Sequence, residues 1–271
     1  MQAKKKDALP LSREMLWNEL SRVGIDKSKI DLLLFDTVGS TNTEAKMIAD
    51  RGIPTLVIAN GQSGGRGRLG RSFSCPDGAG IYMSLLCYPD IMASEASHLT
   101  CLCAVAAARA IDKISGIRPY IKWVNDLYIG DKKLAGILTE GSANQDGSLS
   151  YAVIGIGINV HDADLGEYSE IATSIEAAGG RPTARAELVA GILSELFPMI
   201  EAKDTAPYFD EYIERAKPMI GRSVTVKRAD ESYPATVVGI ERDGSLSVLT
   251  EDERIVTLVT GEISLSFKRD R

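Results

Sequence analysis

Tyr120-Ile121-Lys122-Trp123-Val124-Asn125-Asp126-Leu127-Tyr128-Ile129-Gly130-Asp131-Lys132-Lys133-Leu134-Ala135-Gly136-Ile137-Leu138-Thr139-Glu140 is the stretch that decides the fold. It holds three strand candidates with no helix between them, at 120–124, 127–129 and 134–140. Gly130-Asp131-Lys132-Lys133 joins the last two as a hairpin signature, because Gly and Asp tolerate the backbone angles of a tight reversal. Downstream, 151–160 is a continuous apolar run with Gly155 and Gly157 inside it. Interior strand glycines mark close approach by another backbone or a ligand. Upstream, apolar strands are expected at 32–35, 56–59 and 81–86. Strands and helices mix without a regular βαβ rhythm, which predicts an α+β fold with a largely antiparallel sheet.

Helices are expected at 12–23, from about 40 to 50, 94–114, 185–202 and 207–217. Ser12 is placed to cap the first, with Met15, Leu16 and Leu20 on one face and Gly24 as terminator. Ser40 or Thr41 is placed to cap the second, with Glu44 completing a capping box. From Gly221 the texture changes to five short β-rich runs, at 223–227, 235–240, 245–249, 254–259 and 263–267, with Asp243-Gly244 at one of the turns. Such spacing predicts a small barrel. A boundary near Ile220 divides the chain into 1–220 and 221–271.

With 271 residues, 44% hydrophobic and 25% charged, the chain has ordinary globular composition. Its formal net charge of −6 argues against a general nucleic-acid binder, which spreads basic charge over a face. The four cysteines (Cys75, Cys87, Cys101, Cys103) match no zinc or redox spacing, and His98 and His161 lack ligand-like neighbours. No permanent metal site is expected. Met1 to Asp7 is basic but precedes no apolar core, and no run is long enough to span a membrane. A cytoplasmic protein is expected, with no membrane partner.

Within this acidic chain, Gly64-Gly65-Arg66-Gly67-Arg68-Leu69-Gly70-Arg71 concentrates glycine and arginine. Guanidinium forks suit carboxylates and phosphates, and glycines let a backbone close over a small anion. A solvated basic surface loop has the same composition. Lys122, Asn125, Asp126 and Lys133 cluster around apolar strands, where polar groups are costly without partners. Asn159 ends an apolar strand and can cap the next segment or read a purine edge with its paired donor and acceptor. Ser40-Thr41-Asn42 is either a plain helix start or a set of free N–H groups for a polar ligand. No P-loop and no Gly-x-Ser-x-Gly elbow occurs.

Taken in order, these segments resemble the biotin–protein ligases. The likeness rests on Ser40-Thr41-Asn42, on Gln62 before Gly65-Arg66-Gly67-Arg68-Leu69-Gly70-Arg71, and on Lys122-Trp123-Val124-Asn125-Asp126. It continues through Lys133-Leu134-Ala135-Gly136-Ile137-Leu138, Gly155-Ile156-Gly157-Ile158-Asn159 and Gly261-Glu262-Ile263-Ser264-Leu265. The resemblance implies a catalytic domain like that of class II aminoacyl-tRNA synthetases, with a mixed sheet, and a C-terminal SH3-like barrel. It implies activation of biotin by ATP to biotinyl-5′-adenylate, then transfer to a lysine of a biotin carboxyl carrier domain.

The residues suit that reaction, since two anions, a carboxylate and the α-phosphate, must meet against fixed cations. By resemblance, Ser40, Thr41, Asn42, Gln62, Arg66, Gly67, Arg68, Lys133 and Gly136 hold biotin. Arg66, Arg68, Lys122, Asn125 and Asn159 hold ATP and the adenylate, with Asn159 at the adenine. Lys133, Arg66 and Arg68 act in catalysis. Mg2+ sits transiently near Asn125 and Asp126, and Asp126 helps deprotonate the incoming lysine.

Val124 stands where the family commonly has proline, and Leu69 where it often has a basic residue. The roughly 30 residues before the first catalytic strand are too few for the winged helix-turn-helix of bifunctional members, so no DNA-binding repressor role is expected. Relatives include both monomers and homodimers. A lipoate–protein ligase or octanoyltransferase of the same fold, or a biotin-responsive binding protein without turnover, are the competing readings.

Overall fold

Ser12 opens the first helix as its sequence predicts. In this computed structural model, which describes residues 10–70, 73–228, 231–259 and 262–265, its Oγ accepts from Met15 N at 3.2 Å. Met1 to Asp7, Arg71 and Gly261 lie outside the described residues, as does the end of the last expected strand. Helix α1 (Arg13–Arg22) buries Leu16 and Leu20, one turn apart. Met15, expected on the same face, is 40% exposed, because each helical residue turns the side chain about 100° further round.

The chain continues through β1 (Asp31–Val38), α2 (Thr41–Met47), β2 (Thr55–Gln62), β3 (Gly80–Cys87) and α3 (Ala96–Ser115). Gly116, at φ 77°, ends α3 in the left-handed region that favours glycine. Then come β4 (Tyr120–Lys122), β5 (Asp126–Ile129), β6 (Lys132–Ala143), β7 (Leu149–Asn159), α4 (Arg185–Glu201) and α5 (Ala206–Ala216). The last strands are β8 (Ser223–Arg228), β9 (Glu231–Ile240), β10 (Leu246–Thr250), β11 (Ile255–Leu258) and β12 (Glu262–Leu265).

The first seven strands form one sheet in the order β1-β2-β3-β7-β6-β5-β4. Only β1 and β2 pair in parallel, and the other neighbours are antiparallel. The fold is α+β with a mixed, largely antiparallel sheet. The last five strands form a separate antiparallel sheet, in the order β11-β10-β9-β8-β12.

Strand pleating sends alternate side chains to opposite faces. On one face, Leu56 and Ile58 of β2, Met83 and Leu85 of β3 and Ile154, Ile156 and Ile158 of β7 join α1, α3, α4 and α5 in the main core. On the other, Ala45 of α2 packs with Val57, Leu86 and Val153 in a smaller cluster. Ser84, Gly136, Leu138, Gly155 and Gly157 share the phase of that second face.

Two departures from the expected strands matter. The first strand of the 120–140 stretch stops at Lys122, and the chain reverses over 123–125 so that Lys122 faces Asp126. The Trp123–Val124 peptide is cis. Asn125 anchors this reversal on β6, through Ile137 N to Asn125 O at 3.0 Å and Asn125 Nδ2 to Ile137 O at 2.8 Å. The second departure is a bulge, since Leu127 pairs with Ala135 but Tyr128 pairs with Lys133. Leu134 and Ala135 both enter the main core, and the extra residue turns Lys133 to the face of Gly136.

Candidate functional site

A cavity opens on the second face of the large sheet, beside the start of α2. Its wall takes Ser40, Thr41 and Asn42 from the β1–α2 junction and Gln62 from the end of β2. Arg66, Gly67, Arg68 and Phe73 come from the loop between β2 and β3. Lys122, Asn125, Asp126, Lys133 and Gly136 come from β4 to β6, and Gly155 and Gly157 from β7. Every site residue expected from the sequence reaches this cavity except Asn159. That side chain is buried outside the wall, with Nδ2 donating to Thr173 O at 2.9 Å.

The predicted capping box at α2 is absent. Ser40 is the N-cap, but its side chain makes no cap bond. Thr41 turns to Gln62 instead, with N and Oγ1 donating to Gln62 Oε1 at 2.7 and 3.1 Å. Ser84 Oγ, fully buried, lies 2.8 Å from Thr41 Oγ1 and 2.6 Å from Asn42 Oδ1. Asn42 Nδ2 donates to Leu138 O at 3.2 Å and to Glu140 Oε2 at 2.8 Å. The Asn42 amide is thereby spent on the protein, and it frames the pocket. Glu140 also pairs with Lys46 at 2.7 Å. Burial works against the Glu140 charge, yet hydrogen bonds from Lys46 and Asn42 hold its carboxyl below the usual range.

Glycines make room for this arrangement. A Cβ on Gly155 would lie 2.1 Å from Asn42 Oδ1, and one on Gly157 would lie 2.7 Å from the Phe73 ring. The close approach expected here from another backbone or a ligand is made instead by two side chains, which need the same space.

Across the cavity, Lys133 Nζ lies 2.8 Å from Asp126 Oδ1 and 5.8 Å from the centre of the Phe73 ring. No other donor among the described residues reaches that buried carboxylate oxygen. Arg68 Nη1 donates to Asn125 Oδ1 at 3.4 Å, and Lys122 Nζ lies over Tyr128 at 5.4 Å. Arg66, Arg68, Lys122 and Lys133 thus line the cavity against one carboxylate, Asp126. Such an excess of fixed cations attracts and neutralises a polyanion. Among the described residues, no group of three or more His, Cys, Asp or Glu side chains is placed to hold a metal ion.

Comparison with known proteins finds relatives over most of the chain. A model described as the biotin/lipoate A/B protein ligase family fits residues 34–159, and one described as the biotin protein ligase C terminal domain fits residues 219–266. The bifunctional ligase/repressor of Bacillus spizizenii is 34% identical over 249 residues, covering 86% of this chain and 74% of its own length. The biotin–[acetyl-CoA-carboxylase] ligase of Paracoccus denitrificans is 32% identical over 217 residues, 76% of this chain and 89% of its own. The chain belongs to the biotin protein ligase family. A solved biotin protein ligase from Aquifex aeolicus, in complex with biotin and ATP, superposes with a TM-score of 0.69 at 26% identity. That match covers 87% of this chain and 98% of the other.

Seen as a biotin protein ligase family site, the cavity has parts that motif reading missed. Ser84 carried a signal, as a small polar residue in the apolar run Ile81–Leu86 whose hydroxyl needs a partner when buried. Phe73 carried none, and Ile263 stood in the Gly261–Leu265 segment, to which motif reading assigned no place in the site. Ile263 comes from β12, so the C-terminal sheet supplies part of the wall. That sheet also holds the 123–125 reversal, since Trp123 Nε1 donates to Gly244 O at 2.8 Å in the β9–β10 turn. Tyr212 of α5 donates to Val124 O at 3.0 Å from the other side.

Proposed function

We propose that this chain is a biotin–protein ligase. It activates biotin with ATP to biotinyl-5′-adenylate, releasing pyrophosphate, and passes the biotinyl group to a lysine of a biotin carboxyl carrier domain, releasing AMP. The observation that carries the reading is the single cavity with a polar, enclosed end at Thr41 and Gln62 and a cationic end at Arg66, Arg68 and Lys133. The ring system of biotin suits the first and the reacting oxygens suit the second. No helix of the described residues is long and apolar enough to cross a membrane.

In this mechanism Ser40, Thr41, Gln62 and the backbone at Gly136 hold the biotin rings, within the frame set by Asn42 and Ser84. Arg66 and Arg68 fold over the acyl chain and phosphate, and Lys133 meets the developing charge between carboxylate and α-phosphate. Fixed cations already placed around the reacting oxygens stabilise such charge without reorganising. The chemistry needs no covalent enzyme intermediate. Asp126, held beside Lys133, is the nearest carboxylate to take a proton from the incoming amine, which is largely protonated at neutral pH. Asn159, buried outside the cavity wall with its Nδ2 on Thr173 O, is assigned to the adenine on the family resemblance alone.

Asn125 and Asp126 offer one amide and one carboxylate, a donor set suited to Mg2+ that arrives on the triphosphate and stays mostly on its oxygens. Bound there, the ion supplies charge neutralisation. The large sheet with its helices, within 1–220, is read as the class II synthetase-like catalytic domain, and 221–271 as an SH3-like barrel. The strand order and the spans of the two family matches support that division.

The test is incubation of the chain with ATP, Mg2+ and a carrier-domain acceptor, with biotin or lipoate in separate arms, followed by mass spectrometry of the acceptor. A biotinyl increment is expected. A lipoyl increment alone moves the chain to the lipoate ligases, and biotin binding without any increment makes it a binding protein.

A further inference from the structure

Gln62 is held from two sides, and the second side is a cysteine. Its Oε1 takes both Thr41 donors, while Nε2 donates to Cys75 Sγ at 3.1 Å. The thiol is directed onward, with Sγ donating to Phe73 O at 3.3 Å. Phe73 N closes the junction by donating to Gly65 O at 3.0 Å. Gly65 has no room for a side chain, since a Cβ there would lie 2.5 Å from Phe73 O and 2.7 Å from Cys75 Sγ. The two arms of the Gly64–Arg71 loop therefore meet at this sulfur.

The junction has a direction. A carboxamide has an acceptor end and a donor end, and a sulfur that spends its S–H on Phe73 O can only accept from Gln62. Burial pushes the Cys75 thiol up to about 11, with the Gln62 hydrogen bond opposing, so the S–H is retained at neutral pH. With Oε1 committed to Thr41 and one Nε2 proton to sulfur, Gln62 keeps one N–H for the cavity. It is set to meet an acceptor on the ligand. Cys87, Cys101 and Cys103 are buried in the core and touch none of this.

We propose that Cys75 is a positioning residue for biotin, fixing the orientation of the Gln62 amide and tying it to the neck of the arginine loop. The proposal rests on reading the cavity as the biotin site of a ligase.

The experiment measures biotin-dependent pyrophosphate release for the wild-type chain, Cys75→Ala, Cys75→Ser, Gln62→Ala and the Gln62→Ala/Cys75→Ala double variant. Cys75→Ala is expected to raise the KM for biotin by about tenfold, on the scale of one hydrogen bond, with kcat and the KM for ATP little changed. Cys75→Ser keeps a group that both accepts and donates, and is expected to restore most of the biotin KM. In the double variant, losing Cys75 is expected to add little to the loss of Gln62, as for residues acting through each other. An unchanged biotin KM in Cys75→Ala, equal losses in Ala and Ser variants, or additive losses in the double variant would overturn the proposal while leaving the ligase reading intact. A wild-type chain that neither binds nor activates biotin sinks both.

Discussion

Lys133 pairs with Asp126 across β5 and β6, with Nζ 2.8 Å from Oδ1, because the bulge at Leu134 rotates Lys133 onto the face that carries Asp126 and Gly136. In an unbroken strand the two-residue period would put Lys133 on the core face, opposite Gly136. The ion pair and the Phe73 ring hold the ammonium at the cationic end of the cavity.

Lys133→Ala is therefore expected to lower adenylate formation by about 10²–10³-fold, the usual cost of removing one preorganised charge-stabilising group. Biotin binding and thermal melting should change much less. Stopped-time pyrophosphate release together with calorimetric titration of biotin checks this, and near-normal release would show that another cation does the work.

Gly155→Ala tests the packing of the biotin end. The new methyl would lie 2.1 Å from Asn42 Oδ1, so Asn42 must leave its bonds to Ser84 and Glu140. Overpacking of this kind costs about 1–3 kcal/mol. Urea unfolding should register that loss, and titration should show biotin affinity falling with it. A variant with unchanged stability and affinity would mean that Asn42 moves without consequence.

Trp123→Phe removes the indole N–H that Gly244 O accepts. An unpaired buried carbonyl costs about 1–3 kcal/mol. The loss falls on the contact between the 123–125 reversal and the β9–β10 turn, so the C-terminal sheet should show faster amide exchange in the variant. Gly244 has φ 80°, and a Cβ there would meet Cys101 Sγ at 3.0 Å, so the turn has little freedom to find another donor. Equal exchange in variant and wild type would count against the coupling.

Glu140 supplies a pH dependence. Its folded-state carboxyl sits below the ordinary value of 4.5, so its contribution is fully present above that value and is lost as pH falls through the folded one. Glu140→Gln should therefore be less stable than wild type at neutral pH, with the gap closing as pH falls below about 4.5. Denaturation midpoints at several pH values, compared between the two chains, give the answer directly. A gap that is constant with pH would assign the effect to something other than the carboxylate.

Much of the fold is legible along the chain, because its signals are local. The Gly130-Asp131 reversal, the Ser12 cap and the Gly24 stop each depend on a few consecutive residues. The cavity's main residues are legible too, since a buried lysine, asparagine or arginine-rich loop is costly unless something is bound or paired there. Ser40 and Glu44 mislead for an equally physical reason. A helix start has free N–H groups that a capping side chain can take, but Thr41 N has Gln62, 21 residues away, as a better-placed acceptor.

The sequence by itself determined the α+β class, the succession of most strands and helices along the chain, the cationic loop and the set of polar residues that need a ligand or each other. Tertiary structure decided which of them share a face and what holds them there. The Leu134 bulge turns Lys133 toward Asp126, Gly155 and Gly157 yield space to Asn42 and Phe73, and β12 brings Ile263 to the wall. The link from Trp123 to Gly244 spans 121 positions. Local patterns record the period of a strand or helix, whereas a bulge or a long-range hydrogen bond is chosen by what the rest of the chain packs against it.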